Sequence, residues 1–267
     1  MELLYGLHPV EEAIRSGSSR LDHISVARER RDAKLEHLIS LARTAGIRVS
    51  PATRDQLTRL ARTDTHQGVV AHVRERKFLA IEDLLPLLDG PGRAPRFFLA
   101  LDGVEDPHNL GALLRTADGA GVDGILIPER RSAPITATVA KASAGASEHV
   151  RIARVTNLVR ALEQMKKSNV WVVGLDERGS ADYTDYNFST DTVLVLGREG
   201  AGLHDLVKKT CDHLLRIPMA GQVPSLNVSV AGAVVMYEAM RQRRASSVQQ
   251  KRPEQARQPK ERRGLGS

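Results

Sequence analysis

The chain has 267 residues, 41% hydrophobic and 27% charged, with one cysteine and a formal net charge of +7. This is the composition of a globular protein with enough apolar material for one large core or two ordinary ones. It excludes a disulfide framework, because Cys211 has no partner and fits a reducing cytoplasm; the opening MELLYGLHPVEEAIR lacks the form of a signal peptide, and no apolar run is long enough to span a bilayer.

The first third alternates helix and strand patterns. HPVEEAIRSG reads as a short helix ending at Gly17, LDHISVA as a strand, DAKLEHLISLARTAG as a helix closed by Gly46, and IRVS as a strand. TRDQLTRLAR reads as a helix with Thr53 as its N-cap, and QGVVAHV as a closing strand. The segment RERKFLAIEDLLPLLDGPGRAPR holds a short helix and a Gly/Pro-rich stretch that reads as a linker.

The alternation then restarts. Strands are expected at FFLALDGV, GILIP, VRIARV, VWVVGLD, TVLVLG and HLLRIP. Helices are expected at NLGALLRTADGAG, TATVAKASAGAS, TNLVRALEQMKK, HDLVKKTCD and from about Leu226 onward. Near-continuous apolar strands separated by helices imply a parallel sheet covered on both faces, an α/β fold. From about Ala245 the sequence is polar and basic, has little to bury and reads as a disordered tail. The expected organisation is therefore a small α/β domain over 1–76, a linker over 77–95, a larger domain over 96–244 and a tail over 245–267.

Nine of the 39 Lys and Arg, but two of the 32 Asp and Glu, lie at Arg241 or beyond, so the preceding 240 residues are neutral. A basic tail, a mildly basic first third and a mildly acidic remainder point to a polyanionic partner gripped at two ends. Aromatic residues are only 3% of the chain, which argues against a base-stacking platform.

GAGVDG at Gly119–Gly124 fits G-x-G-x-x-G, but it closes a helix and precedes a strand, so it is a helix cap and not a dinucleotide site. LGREGAGL lacks the ending of a P-loop. Three other segments each put polar residues at a strand's carboxyl end beside a helix start. In DPHNLGALLRTADGAG, Asn109 is placed to cap a helix and Arg115 points away from its apolar stripe. In VLVLGREGAGL, Glu199 sits between glycines that allow close backbone approach. In IPMAGQVPSLN, Ser225 and Asn227 stand before an apolar helix. Taken singly these residues also suit a surface arginine, a solvated turn and two ordinary caps. In an open parallel sheet, however, strand carboxyl ends converge on one crevice.

DPHNLGALLRTADGAGVDGILIP, LVLGREGAGL and IPMAGQVPSLNVSVAGAVVMYEA resemble, in order and spacing, the three motifs of the SpoU (TrmH) group of RNA ribose 2′-O-methyltransferases, of the SPOUT class. YGLHPVEEAI and THQGVVAHV resemble the L30e-like RNA-binding domain of the ribosomal members, and the nearest resemblance is to those that methylate a guanosine of 23S rRNA. The resemblance implies a parallel-sheet domain with a deep trefoil knot, a homodimer whose sites draw on both subunits, and S-adenosylmethionine as cofactor. It implies neither a metal nor a membrane. By motif position Leu196, Gly197, Ile217, Met219 and Leu226 line the methyl-donor site. Asn109, Arg115, Glu199, Ser225 and Asn227 fall on the polar active-site positions.

A guanidinium stays protonated, so Arg115 is expected to clamp the target phosphate and the developing alkoxide and not to act as a base. Asn109 and Glu199 are expected to position Arg115 and the glycine loop, and Ser225 and Asn227 to fix the substrate and cofactor side. The same chemistry on tRNA or on another rRNA site stays open, as does a non-catalytic RNA-binding assembly factor.

Overall fold

The computed structural model describes residues 2–17, 20–30, 32–74 and 76–250, with side chains to residue 246. The first part runs β1 (Glu2–Tyr5), α1 (Leu7–Arg15), β2 (Leu21–Ala27), α2 (Ala33–Thr44), β3 (Arg48–Ala52), α3 (Arg54–Ala61) and β4 (Val69–Val73). Its sheet has the order β1-β4-β2-β3, antiparallel except for the parallel β2–β3 pair. Thr53 caps α3 as expected, in a reciprocal box with Gln56: Gln56 N donates to Thr53 Oγ1 and Thr53 N to Gln56 Oε1. Strand β1 is an addition to the sequence reading.

The second part runs β5 (Phe97–Leu101), α4 (Pro107–Ala120), β6 (Gly124–Pro128), α5 (Ala137–Ala142), β7 (Ile152–Val155), α6 (Leu158–Lys167), β8 (Trp171–Leu175), β9 (Ala181–Asp182), β10 (Thr192–Leu196), α7 (Asp205–Thr210), β11 (His213–Arg216) and α8 (Val228–Gln250). Seven strands form one sheet in the order β7-β6-β5-β10-β8-β11-β9, and every pairing is parallel. The central strands β5 and β10 are buried throughout, as strands covered on both faces must be. One face carries α4 and α8, where Leu110, Leu113 and Leu114 meet Val235, Met236 and Ala239. The other face carries α6 and α7, with Leu162, Met165 and Val207 against Phe98, Val193 and Val195.

The segment expected to be a free linker is pinned. Leu79 N donates to Ile152 O at 3.0 Å and Arg154 N to Leu79 O at 2.9 Å, which adds one residue to the edge of β7. Ile81, in the first of two short 3₁₀ turns, and Leu84, between the two, are buried in the α6–α7 face. The Gly/Pro content marked the turns, and the spaced apolar residues between them carried the opposite message. The two parts also touch directly. Glu148, nearly buried, accepts from Arg20 Nη1 at 3.0 Å and from Arg76 Nη2. His149 Nε2 lies 2.9 Å from Glu12 Oε2, and Lys141 Nζ donates to Thr65 O at 3.1 Å.

Helix α8 continues to Gln250, beyond the expected start of the tail at 245; the remainder of that tail, 251–267, lies outside the described residues. The lower half of α8 is fixed by Arg243. Its guanidinium donates to Pro95 O at 2.7 Å, Arg96 O at 3.0 Å and Thr190 O at 2.5 Å, and lies over the Phe97 ring. Arg243→Ala strands three carbonyls, so we expect a loss of about 2–4 kcal/mol in urea unfolding. Arg241→Ala, which removes only an exposed pair with Glu238, is expected to cost less than about 1 kcal/mol.

Burial pushes the Cys211 thiol up to about 12. Alkylating reagents at pH 8 should therefore label Cys211 only after unfolding. An unfolded thiol ionises near pH 9, so this burial weakens the fold as pH rises from about 9 towards 12. Cys211→Ala should flatten that alkaline loss.

Candidate active site

The carboxyl ends of β5, β10 and β11 deliver three loops to one edge of the sheet. After β5, Asp106 and not Asn109 caps α4: Asp106 Oδ1 accepts from Asn109 N at 2.8 Å and Pro107 takes the first helical position. Pro favours that position because its missing N–H would be unsatisfied there anyway. The Asn109 side chain is thereby released, and Nδ2 donates to Glu199 Oε2 at 3.0 Å.

Asn227 closes the figure. Its Nδ2 donates to Asn109 Oδ1 at 3.0 Å and to Glu199 Oε1 at 3.1 Å. Both amide protons are used, and the other end of the amide is occupied as well: Oδ1 accepts from Ser229 N at 2.9 Å and Ser229 Oγ at 2.6 Å. Asn227 is thus the cap of α8 and a link to the other two loops at once. Residues 90 and 118 positions from Asn109 meet it in one hydrogen-bonded triangle.

Beside this triangle is a cleft of about 390 Å³. Leu196, Gly197, Ile217, Met219 and Leu226, the five residues assigned to the methyl-donor site, all line it, together with Glu199 and Ser225. Gly197 has a specific reason to be glycine. A Cβ there would stand 2.3 Å from Gly202 C and 2.4 Å from Leu203 N, backbone atoms that have nowhere to go. The absent side chain lets the 198–202 turn fold back, with Arg198 N donating to Gly202 O and Gly202 N to Arg198 O, both at 3.0 Å. Apolar side chains on one part of the lining, with glycine backbone and charged residues such as Asp176, Arg178, Arg198 and Glu199 on the rest, suit a ligand that has both apolar and polar or charged groups.

The end of β8 also reaches the cleft, through Leu175, Asp176, Glu177 and Arg178, which sequence reasoning did not assign. Its signal was present in VWVVGLDERGS, a fourth apolar strand running into polar residues and a glycine. Burial opposes ionisation of Asp176, but Lys208 Nζ at 2.8 Å and the Arg178 N–H hold its carboxyl below the ordinary range.

Arg115 stands apart. It is exposed on α4, six residues and about 9 Å along the helix from Asn109, and forms no hydrogen bond or ion pair among the described residues. Asn109 and Glu199 therefore hold Asn227 and each other, and neither touches Arg115.

Residues 96–237 match the SpoU rRNA Methylase family, and residues 3–79 match a family described as RNA 2′-O ribose methyltransferase substrate binding. The chain belongs to the SpoU rRNA methylase family. It is 43% identical to a putative TrmH family tRNA/rRNA methyltransferase, YacO, of Bacillus subtilis, over 91% of this chain and 96% of that one. It is also 43% identical to the 23S rRNA (guanosine-2′-O-)-methyltransferase RlmB of Ralstonia nicotianae, again over 91% and 96%. Among solved structures it is similar to the SpoU methyltransferase AviRb of Streptomyces viridochromogenes in complex with AdoMet. That likeness has a TM-score of 0.76 and 26% identity, covering 91% of this chain and 90% of that one.

Glu199→Gln tests the triangle with a minimal change. It puts an N–H₂ where a carboxylate oxygen now faces an Asn Nδ2, so two donors oppose each other. Methyl transfer should fall by about tenfold or more while thermal stability moves by less than about 1 kcal/mol, since the group is exposed.

Proposed function

We propose that this protein methylates the ribose 2′-oxygen of a guanosine in 23S rRNA, with S-adenosylmethionine as donor. The observation that carries the reading is the closed Asn109–Glu199–Asn227 triangle standing beside a cleft lined by the five donor-site residues. Relatives named as 23S rRNA (guanosine-2′-O-)-methyltransferases support the substrate class, and the AdoMet complex of AviRb supports the donor. The match of residues 3–79 to a substrate-binding family supports RNA contact through the first part of the chain.

S-adenosylmethionine, when bound, supplies a methyl group on a sulfonium that is already a good leaving group. The protein's task is alignment and charge stabilisation. Leu196, Ile217, Met219 and Leu226 offer the apolar surface for the donor, and Gly197 lets the 198–202 turn fold back beside it. The triangle fixes the three loops relative to one another, so the donor side and the ribose side keep one geometry; such pre-alignment lowers a barrier by several kcal/mol in favourable cases. Arg115, a permanent cation whose side chain has no partner among the described residues, binds the target phosphate and stabilises the 2′-alkoxide as it forms. Ser225 orients the substrate from the opposite loop.

A homodimer belongs to the same reading. Val223, Leu226, Val230 and Tyr237 are exposed; Val230 and Tyr237, seven residues apart, share one face of α8, and Val223 and Leu226 lie in the loop that leads into it. A second copy covers these residues, and each site then draws on both subunits. The trefoil knot is proposed for the path from β10 through β11 to α8, where the chain passes outside β8 and returns across α4. A cytoplasmic location fits the rRNA substrate and the single thiol, and no helix among the described residues is long and apolar enough to cross a membrane.

The deciding experiment offers labelled S-adenosylmethionine with protein-free 23S rRNA and, separately, unmodified tRNA, and maps the label. Label on one guanosine ribose of 23S rRNA is the expected result; label on tRNA alone overturns the substrate assignment. Absence of label on either RNA, with donor binding intact, favours a non-catalytic assembly factor. Arg115→Ala should abolish transfer and leave the donor Kd within about threefold of wild type, a change of under 1 kcal/mol.

A further inference from the structure

The loops after β5 and β6 meet at the same edge of the sheet, and they gather cationic side chains that the site above leaves unused. Gly103 lies at φ +84°, and a Cβ there would stand 2.5 Å from Arg198 Cγ and 3.5 Å from His204 Cε1. Arg198 therefore runs its stem straight across the Gly103 backbone, with the His204 ring beside it. Its Nε is enclosed without a hydrogen-bond partner, and its guanidinium pairs with no carboxylate among the described residues. An enclosed, unpaired guanidinium nitrogen in a functional crevice calls for an explanation.

His204 is held from behind. Buried Asp102 accepts from His204 N at 2.7 Å and lies 2.8 Å from His204 Nδ1; a carboxylate only accepts, so Nδ1 carries a proton and Nε2 faces outward. Arg131 Nη1 stands 3.5 Å from that Nε2, a long hydrogen bond that leaves the other guanidinium N–H groups open. Arg131 itself has φ +58°, a left-handed conformation that non-glycine residues seldom adopt. The turn that imposes it is fixed at both ends, by Ser132 Oγ donating to Pro128 O at 2.5 Å and Ala133 N donating to Val104 O at 2.9 Å. Strained backbone is kept where it aims a side chain.

The carboxylates of this region do not neutralise these cations. Asp102 is committed to His204 and Asp106 to the α4 cap, while Glu105 and Glu129 are exposed and form no ion pair among the described residues. The Arg131 guanidinium thus stands at the outer imidazole nitrogen, the Arg198 stem passes close to the same ring, and Arg198 also lines the donor cleft.

We propose that Arg198 and Arg131, the latter set against the Asp102-anchored His204 ring, form an anion subsite that seats a backbone phosphodiester of the RNA adjacent to the nucleotide being modified. The proposal rests on the RNA-methyltransferase reading and adds to it a second phosphate grip, distinct from that of Arg115. Phosphate is the matching anion because it presents several acceptor oxygens to donors converging from different loops, and guanidinium forks suit it. The subsite lies at the carboxyl ends of β5, β6 and β10, so a strand of RNA held there lies next to the cleft that holds the donor.

The test uses Arg131→Asn, Arg198→Met and Arg198→Lys in the full chain, with protein-free 23S rRNA and S-adenosylmethionine as probes. Asn tolerates the left-handed conformation, so Arg131→Asn should keep or raise the thermal midpoint. It should nevertheless raise the RNA KM and Kd about tenfold, the scale of one lost charged contact, with a smaller change in kcat. Arg198→Met should do the same and Arg198→Lys should recover most of the loss. Each neutral variant should lower the slope of log Kd for RNA against log salt by about 0.7. Unchanged RNA Kd and salt slope in both neutral variants would overturn the subsite, as would a weaker donor Kd with RNA binding intact, which would assign Arg198 to the donor. Because RNA Kd is read without turnover, a wild type that binds 23S rRNA yet transfers no methyl would refute the catalytic reading and still leave the variants to decide the subsite.

Discussion

One carboxylate holds the site together. Glu199 accepts from Asn109 on one oxygen and from Asn227 on the other, and the two asparagines bond to each other. None of these bonds is strong by itself. An exposed amide–carboxylate hydrogen bond adds on the order of 1 kcal/mol in water. Their value lies in what they join, because the three side chains come from the ends of β5, β10 and β11 and have no other reason to share one geometry. Desolvation by a bound ligand raises the value of the same bonds, as electrostatic interactions gain when water leaves.

The rest of the fold can be read as support for that triangle. Buried strands β5 and β10 lie side by side, so their loops start a few ångströms apart. Helices α4 and α8 pack together on one face, which brings Asn109 near the start of one helix and Asn227 at the cap of the other to the same height. Arg243 fixes the far end of α8 to the opposite edge of the sheet through three carbonyls. Charge is divided in a similar way. Asp123, Asp191 and Glu148 are spent on arginines that hold structure together, through Arg96, Arg93 and Arg20. Arg115, Arg131 and Arg198 pair with no carboxylate among the described residues, and all three lie on the loops and helix at the functional edge.

Much of this was legible in the residues. The apolar runs FFLAL, GILIP and TVLVL are strands covered on both faces, and their short, near-continuous apolar character between helical segments identified them. The five residues assigned to the donor site line one cleft, and motif order carried that assignment. What sequence missed has physical causes. Strand β9 has two residues, too few for any period to show. Strand β1 depends on pairing with β4 nearly seventy residues later, a long-range contact no local pattern reports. Asn109 and Asp106 are equally good caps by residue type. Pro107 was the discriminating signal, since a proline at the first helical position assigns the cap to the residue before it. The 77–95 stretch was read from its glycines and prolines, while Leu79, Ile81 and Leu84 were the residues that decided its place.

The central claim is that the triangle acts as one unit. A double-mutant cycle of Asn109→Ala and Asn227→Ala, read as kcat/KM for methyl transfer to 23S rRNA, tests it most directly. If the unit is real, each single variant already breaks it, and the double variant should be little worse than the more damaging single one. Strict multiplication of the two losses would mean that the asparagines act independently, and would contradict the account.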